Sequence, residues 1–241
     1  MENFFNNYLQ NYRHMNFETG DFPGPFITIS RQAGCSAKRI AIKLSKILTG
    51  YSYMSDTKTD ADWRWVDKEM FSQVVKEMIA EVVEGGYDNE KGDAVKFLKT
   101  VDNAFSEETI YDISDENLIL TLKGIICRLA CQGRTIIVGR SAGVILKNVP
   151  NKLNIRLEAP TDWRINRVMQ IKDLTRAEAE KFITEMDDKR DSFIEKVIGR
   201  KAENNDFDVI FNYASLEDDL IVDSIVNILR NKQIIARFND Y

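Results

Sequence analysis

The chain is poor in the residues from which zinc sites and hydrolase triads are built, with one histidine and three cysteines among 241 residues. A zinc site made of Cys and His ligands needs more of these residues than the chain offers. A hydrolase triad would have to use His14, which lies in a polar N-terminal stretch. Cys127 and Cys131 stand four positions apart in an apolar helical pattern, and we interpret them as core thiols. We therefore predict no metal ligands.

Long apolar runs and an excess of basic residues are also missing. No apolar run approaches the roughly 20 residues that a membrane-spanning helix requires. The first residues hold Glu2 and no basic segment ahead of an apolar stretch, so we recognise no secretory signal. A net charge of −5 and a pI near 5.2 argue against broad binding to a nucleic-acid backbone. We expect a cytoplasmic protein that binds a small molecule, not a membrane or a nucleic acid.

The composition that remains is that of a globular protein, with 44% hydrophobic and 29% charged residues. The length suits one sizeable α/β domain with a mobile part, and not two full domains. We predict an N-terminal arm over residues 1–25, one domain over 26–231 and a tail over 232–241. The arm is rich in aromatic residues, which we expect to cover the body of the protein or a neighbouring subunit. In the second case the chain would form a homo-oligomer.

Residues 26–48, FITISRQAGCSAKRIAIKLSKIL, predict a buried strand that passes through a tight polar loop into a helix. Residues 26–30 are apolar and rich in β-branched side chains, whereas the apolar residues from Ile40 onward recur with helical spacing. A helix N-terminus presents unpaired N–H groups at the positive end of its dipole, which favours an anion. The candidate phosphate-binding residues of this loop are Arg31, Gln32, Gly34, Cys35, Ser36, Ala37, Lys38 and Arg39.

The loop departs from the phosphate-loop pattern G-x-x-x-x-G-K-S/T. Ala37 stands at the lysine position, Ser36 at the preceding glycine, and Lys38 at the hydroxyl residue that would bind magnesium. Arg31, Lys38 and Arg39 nevertheless crowd a helix start whose dipole disfavours cations, a conflict that an anionic ligand would relieve. Two interpretations stay open: a phosphate-binding loop, or an ordinary strand-to-helix turn with basic residues on a solvated helix start.

Two further polar residues follow predicted strands. Residues 63–66 form a short strand that ends at Asp67, and residues 135–138 form a buried strand followed by Gly139 and Arg140. Because parallel strands end at one edge of a sheet, both side chains would face the rim of the loop, where a guanidinium suits phosphate. The alternatives are that Asp67 caps a helix over residues 68–84 and that Arg140 is a surface residue in a turn.

A charged helical pair over residues 161–201 follows the predicted strand at 153–157. Arg164 and Arg167 lie three apart and so share one face, and Thr175 with Glu178 forms a capping box that starts the second helix, which carries Arg190. A last strand at 207–211 and a helix at 216–230 complete the domain, and residues 87–113 are acidic and weakly patterned, with a short helix predicted at 93–104.

In this order the segments resemble the cytidylate kinase-like family of P-loop proteins. The matching segments, within residues 26–230, are ITISRQAGCSAKRIAIKLS, WVDKEMF, TIIVGRSAGVIL, IRLEAPTDWRINRVM, EMDDKRDSF and FDVIFN. The resemblance implies a three-layer P-loop kinase fold with a five-stranded parallel sheet, a nucleoside-monophosphate-binding helical region within residues 49–113 and a helical lid over 161–201.

The resemblance also implies ATP and Mg²⁺ as cofactors and roles for the arginines. Residues 31–39 would hold the donor phosphates, Asp67 and Arg140 would face the acceptor nucleotide, and the lid arginines would join Arg140 as catalytic residues at the phosphoryl group. These lid arginines are Arg164, Arg167 and Arg190. The chain departs from the family at Ala37, at Ser36 and at Ser141, which replaces an aspartate of cytidylate kinases, so cytosine specificity is not carried over.

Two functions follow from these observations. The first is an ATP-dependent phosphotransferase acting on a nucleoside monophosphate or a similar small acceptor, because phosphoryl transfer depends mainly on positioning and charge neutralisation. The second is a catalytically inactive P-loop protein that binds a nucleotide or another anion as a sensor or interaction module. The altered loop favours the second, and the arginines at four matching positions favour the first. Lys38 is a candidate substitute for the missing loop lysine.

Overall fold

The computed structural model of the chain describes residues 25–54, 62–67, 71 and 116–235. Its five strands are β1 (Phe26–Arg31), β2 (Arg64–Val66), β3 (Thr135–Val138), β4 (Lys152–Glu158) and β5 (Val209–Asn212). Its helices are α1 (Ala37–Met54), α2 (Glu116–Cys131), the one-turn α3 (Ala142–Ile145), α4 (Thr161–Lys172), α5 (Arg176–Ile198) and α6 (Asp218–Asn231), with a 3₁₀ turn at Asn204–Asp206.

All strand pairs of the sheet are parallel, in the order β2-β3-β1-β4-β5. The predicted five-stranded parallel sheet is therefore confirmed. β1 lies in the centre, with Ile27 opposite Ile136 of β3 on one side and Leu153 of β4 on the other. Because β1, β2 and β3 run in the same direction, the residues that follow them meet at one edge.

Helices cover both faces of the sheet and give it three layers. On one face Ile27 and Ile29 pack with buried residues of α1 and α6, such as Leu44 and Val222. On the other face α2, α3 and the end of α5 form a second core around Ile137. Strands that are buried on both faces need continuous apolar runs. Such runs are the pattern from which β1 and β3 were predicted.

A buried polar network anchors the loop before β5. Asp206 is almost fully buried, with its side chain bound by both Nη atoms of Arg200 at 2.6 and 2.8 Å and by Lys147 Nζ at 2.8 Å. The Glu203 N–H donates to the same carboxylate at 2.8 Å. The bonds from Arg200, ahead of those from Glu203 and Lys147, hold the pKa of Asp206 well below its usual range.

The structure confirms the prediction for the N-terminus of α5 but not the one for the end of α1. The predicted capping box at Thr175 and Glu178 is confirmed, with both reciprocal hydrogen bonds present. The sequence of residues 49–62, TGYSYMSDTKTDAD, is polar and turn-rich and so predicts a connection after the first helix. That prediction is wrong for residues 49–54, because α1 continues to Met54. The polar side chains Thr49 and Ser52 fit the helix, since the Ser52 hydroxyl donates to the carbonyl of Leu48 at 3.1 Å.

Several predictions concern parts of the chain outside the described residues. They are the aromatic arm, the helix over 68–84 apart from Phe71, the segment 87–113 with its helix at 93–104, and the end of the tail. These stay predictions. Among the helices that the structure describes, none is both long enough and apolar enough to cross a membrane.

Candidate functional site

The loop between β1 and α1 is held by bonds from three directions. The Gln32 N–H donates to the carbonyl of Leu157 at 3.0 Å, and the Cys35 N–H closes a turn onto the Gln32 carbonyl at 3.2 Å. The Ala33 N–H donates to Asp187 Oδ1 at 2.7 Å. Gly34 has a φ of +89°, and a Cβ there would lie 3.2 Å from the Cβ of Arg164, so only glycine fits this close approach without strain.

A cleft of about 610 Å³ opens over this loop, and we call it the outer cleft. Six of its lining side chains are basic and one is a carboxylate. Such a charge balance at the N-terminus of α1 attracts a polyanion. The lining residues are Arg31, Cys35, Ser36, Ala37, Lys38, Arg39, Ile42, Asp67, Val138, Arg140, Lys172, Phe182, Met186 and Arg190.

The carboxylate of the outer cleft is paired with a loop lysine. Lys38 Nζ lies 2.8 Å from Asp67 Oδ2 and 5.2 Å from the ring centroid of Trp65. The Asp67 side chain is 8% exposed whereas that of Lys38 is 48% exposed. The ammonium is therefore bound by a buried carboxylate, while part of the Lys38 side chain lines the cleft. The Asp67 carbonyl accepts from the Phe71 N–H at 2.9 Å. The pair thus ties the start of α1 to the end of β2.

A strained turn presents Arg140 at the end of β3. Gly139, Arg140 and Ser141 are consecutive residues with φ of +74°, +57° and +57°. Two non-glycine residues in the left-handed region are costly, and such strain is often found at functional sites. At Gly139 a Cβ would lie 2.0 Å from Arg31 Nη1, so the guanidinium of Arg31 packs directly on the glycine backbone. The turn therefore brings two arginines to the same edge of the sheet.

A second, smaller cavity of about 70 Å³ lies beneath the outer cleft, and we call it the inner cavity. Arg31, Arg140 and Arg190 line both spaces. Arg190 Nη1 donates to the Arg31 carbonyl at 3.3 Å, and among the described residues Arg190 Nε has no hydrogen-bond acceptor. Asp191 also lines the inner cavity, and burial raises the pKa of its carboxyl against the lowering effect of Arg156.

Arg164 is buried and bound inside the protein. Its Nε donates to the Ala159 carbonyl at 3.0 Å and its Nη1 donates to Asp187 Oδ2 at 2.5 Å. The other oxygen of Asp187 accepts from the loop at Ala33. Arg164 lines neither the outer cleft nor the inner cavity. Its contacts hold α4, α5 and the loop together.

Arg167 is held between two aromatic rings. Its guanidinium carbon lies 5.1 Å from the ring centroid of Trp163 and 5.2 Å from that of Tyr213. Its Nη2 donates to Ser36 Oγ at 3.0 Å. Like Arg164 it lines neither of the two spaces. The structure thus places Arg167 beside the loop and not in the outer cleft.

An acidic residue of α6 supports the same side of the loop. Asp218 Oδ1 accepts from the Tyr213 hydroxyl at 2.8 Å, and Asp218 Oδ2 lies 2.7 Å from Arg39 Nη2. Burial, with a contribution from Asp218, raises the pKa of Tyr213. Arg39 is thereby held at the mouth of the outer cleft.

Cys35 lines the outer cleft, and its thiol is protonated at neutral pH. Burial raises the pKa of its thiol to about 11, although the nearby guanidinium of Arg164 acts in the opposite direction. A thiol with that pKa is protonated at neutral pH and reacts slowly, since the thiolate is the reactive form. Cys35 therefore serves as a packing residue of the loop.

Most of the predicted site residues come together at the outer cleft, but Gln32, Gly34, Arg164 and Arg167 do not line it. Arg31, the loop residues 35–39, Asp67, Arg140 and Arg190 all line the outer cleft, whereas Arg164 and Arg167 turn inward. Gln32 lines the inner cavity, and its Oε1 accepts from the Ala159 N–H at 3.0 Å.

Sequence reasoning missed Asp187 and Lys172. Asp187 lies three residues before Arg190 on α5, and this spacing could have predicted their ion pair. Nothing local marked Lys172 as a cleft residue.

The residues present suit the phosphates of ATP but not a magnesium ion. Six cations and a helix N-terminus fit a polyphosphate. Magnesium prefers oxygen ligands, and here Lys38 replaces the hydroxyl residue while Asp67 is engaged by Lys38. Among the described residues there is no cluster of three His, Cys, Asp or Glu that could hold a metal.

Comparisons with known proteins give one family match and two similar solved structures. The sequence model of the cytidylate kinase-like family matches residues 26–215. An uncharacterized protein from Eubacterium ventriosum shares the fold, with a TM-score of 0.56 and 19% identity over 86% of this chain and 98% of that one. A shikimate kinase from Bacteroides thetaiotaomicron aligns with a TM-score of 0.46 and 14% identity over 86% of this chain and 97% of its own. No curated protein matches the chain.

Proposed function

The chain belongs to the cytidylate kinase-like family, and on that premise we propose that it is an ATP-dependent phosphotransferase whose acceptor is a nucleoside monophosphate or a similar small anion. The observation that carries the proposal is the convergence of Arg31, Arg140 and Arg190 on one cleft from β1, the turn after β3 and α5. Three guanidinium groups from three elements can neutralise phosphoryl oxygens from several sides.

The proposed reaction needs little covalent chemistry from the protein. An acceptor oxygen attacks the γ-phosphorus of ATP, a new P–O bond forms, and the bond to the β-phosphate oxygen breaks as ADP leaves. A phosphate acceptor is largely ionised at neutral pH, so no general base is required. In this scheme Arg140 and Arg190 orient the acceptor and the transferred group, and the loop residues bind the donor. Positioning and charge neutralisation supply the rate enhancement.

Arg164 and Arg167 take supporting roles in this proposal. Arg164 fixes Asp187, which accepts from the Ala33 N–H of the loop. Arg167 holds the Ser36 hydroxyl. Both therefore act on a bound ligand through the loop, as positioning residues.

A second function is favoured by the contacts of the loop. Lys38 is engaged by Asp67, Ser36 by Arg167, and Ala37 stands where the phosphate loop has lysine. A protein with these features can bind a nucleotide or another anion without transferring phosphate, and so act as a sensor or an interaction module. The two functions share the cleft and differ in turnover.

Turnover against a panel of acceptors separates them. We expect acceptor-dependent release of ADP from ATP with a nucleoside monophosphate in the panel, and a loss of about 100-fold or more in Arg140→Ala, which removes one guanidinium from the transferring group. Arg176→Ala is the matched control, because Arg176 is exposed and pairs with exposed Asp162. Binding of ATP with no turnover for any acceptor would favour the sensor function, and equal turnover in both variants would remove Arg140 from the mechanism.

A further inference from the structure

The position at which a phosphate loop places its magnesium-binding hydroxyl is occupied by an ammonium group. Lys38 is the second residue of α1, and its Nζ lies 2.8 Å from Asp67 Oδ2. The Trp65 ring, 5.2 Å from the same nitrogen, adds a cation–π contact. The ammonium is therefore fixed by two groups of the β2 end, while its side chain stays half-exposed to the outer cleft.

Among the described residues that line the outer cleft, the same pairing leaves no carboxylate that is not already bound to a cation. Of the described residues that line it, Asp67 is the one acidic side chain, and Lys38 engages it. The cleft also carries five more cations. Of these, Arg39 is paired with Asp218 and Arg190 with Asp187. An ammonium at the position of the metal-binding hydroxyl repels a further cation, and a divalent ion doubles that cost. Metal-free ATP is more negative than its magnesium complex by the charge of the ion, so this cleft favours the metal-free form.

We propose that the outer cleft binds the polyphosphate of its ligand without a divalent metal ion, and that the ammonium of Lys38, held by Asp67, stands in place of that ion. The inference rests on the proposed function in taking ATP as the ligand. A single ammonium carries half the charge of Mg²⁺, and further basic side chains line the same cleft. Asp67 acts here as a positioning residue for Lys38.

The test is calorimetric titration of the wild-type protein with ATP, once in excess MgCl₂ and once in EDTA. We expect the dissociation constant in EDTA to be equal to or lower than that in MgCl₂. Binding that is more than about tenfold tighter in MgCl₂, a difference of about 1.4 kcal/mol, overturns the inference and leaves the proposed function standing. No binding in either condition overturns both.

Variants at position 38 test the role of the ammonium. Lys38→Thr removes the cation, supplies a hydroxyl and releases Asp67, so its binding of ATP should become at least about tenfold weaker in EDTA than in MgCl₂. Lys38→Arg keeps a cation and should stay independent of the metal. The control is Lys43→Thr on the same helix, because Lys43 lies outside the cleft and pairs with Asp219.

Metal-independent binding by Lys38→Thr would overturn the role of Lys38. Circular dichroism checks that each variant folds. The titration of the wild-type protein needs no variant, so it decides metal dependence even if Lys38→Thr does not fold.

Discussion

Four arginines stand at positions that match the family, and in the fold they form two sets with different contacts. Arg140 and Arg190 line the outer cleft and the inner cavity. Arg164 and Arg167 instead bind groups of the protein. Arg164 donates to Asp187, whereas Arg167 donates to Ser36 and contacts two aromatic rings. A match to the family's sequence therefore does not show whether an arginine can contact a ligand, because that depends on the groups its guanidinium binds in the fold.

Removing Arg164 should give the largest effect on stability. Arg164→Ala leaves the carboxylate of Asp187 without its shortest ion pair in a largely buried setting, and we expect a loss of about 3–5 kcal/mol in the free energy of unfolding. Urea denaturation measures it.

The matched variant is Arg190→Ala on the other side of the same carboxylate. Arg190 lies 3.5 Å from Asp187 and donates a long bond to the Arg31 carbonyl, so about 1 kcal/mol should be lost. Equal losses for the two variants would erase the distinction between inward-bound and cleft-lining arginines.

The buried carboxylate of Asp206, bound by Arg200, extends the comparison to an ion pair that lines neither the outer cleft nor the inner cavity. Asp206→Asn removes the charge that Arg200 and Lys147 neutralise, and we expect a loss of about 2–3 kcal/mol at neutral pH. Urea denaturation at a series of pH values measures this loss.

The pH dependence of that loss has a defined sign. The folded state holds the pKa of Asp206 below its usual range, so the carboxylate stabilises the fold above the unfolded-state pKa, and the stabilisation is lost as pH falls toward the folded-state pKa. The gap between wild type and Asp206→Asn should stay constant from about pH 7 to pH 5 and narrow below about pH 4. A gap that narrows already above pH 5 contradicts the lowered pKa.

A small effect, similar in size to that of Arg190→Ala, is expected at Arg167. Arg167→Lys keeps the charge but loses the planar group between Trp163 and Tyr213, at a cost of about 1 kcal/mol. Thermal unfolding measures it. The exposed Arg176→Lys, expected to change stability by less than about 0.5 kcal/mol, is the control. No change at Arg167 would mean that its stacking contributes nothing to the fold.

The sheet could be predicted from the sequence because buried parallel strands have a strong local signal. Thr135–Val138 is a run of β-branched residues buried throughout, and its predicted bounds match the structure. The end of α1 could not be predicted in the same way, since residues 49–54 are polar and contain Gly50, and tertiary packing carries the helix past them.

The candidate site was predicted in position but not in detail. The carboxyl ends of parallel strands fixed where Arg140 and Asp67 would meet the loop. The direction of each side chain was not legible, because it depends on partners distant in sequence. Ala33 and Asp187, for example, are 154 residues apart. Helical spacing placed Arg164 and Arg167 on one face of the helix, but it could not predict that this face contacts Asp187 and the loop.

The carboxylate of Asp187 has a consequence for motion. It accepts from the loop backbone through one oxygen and from the α4 guanidinium of Arg164 through the other, while its own main chain belongs to α5. A swing of the two helices together away from the loop must break the bond from Ala33, whereas the bond from Arg164 joins the two helices to each other. In mechanical terms the loop and the helical pair form one block, and a force that displaces either of them is transmitted to the other.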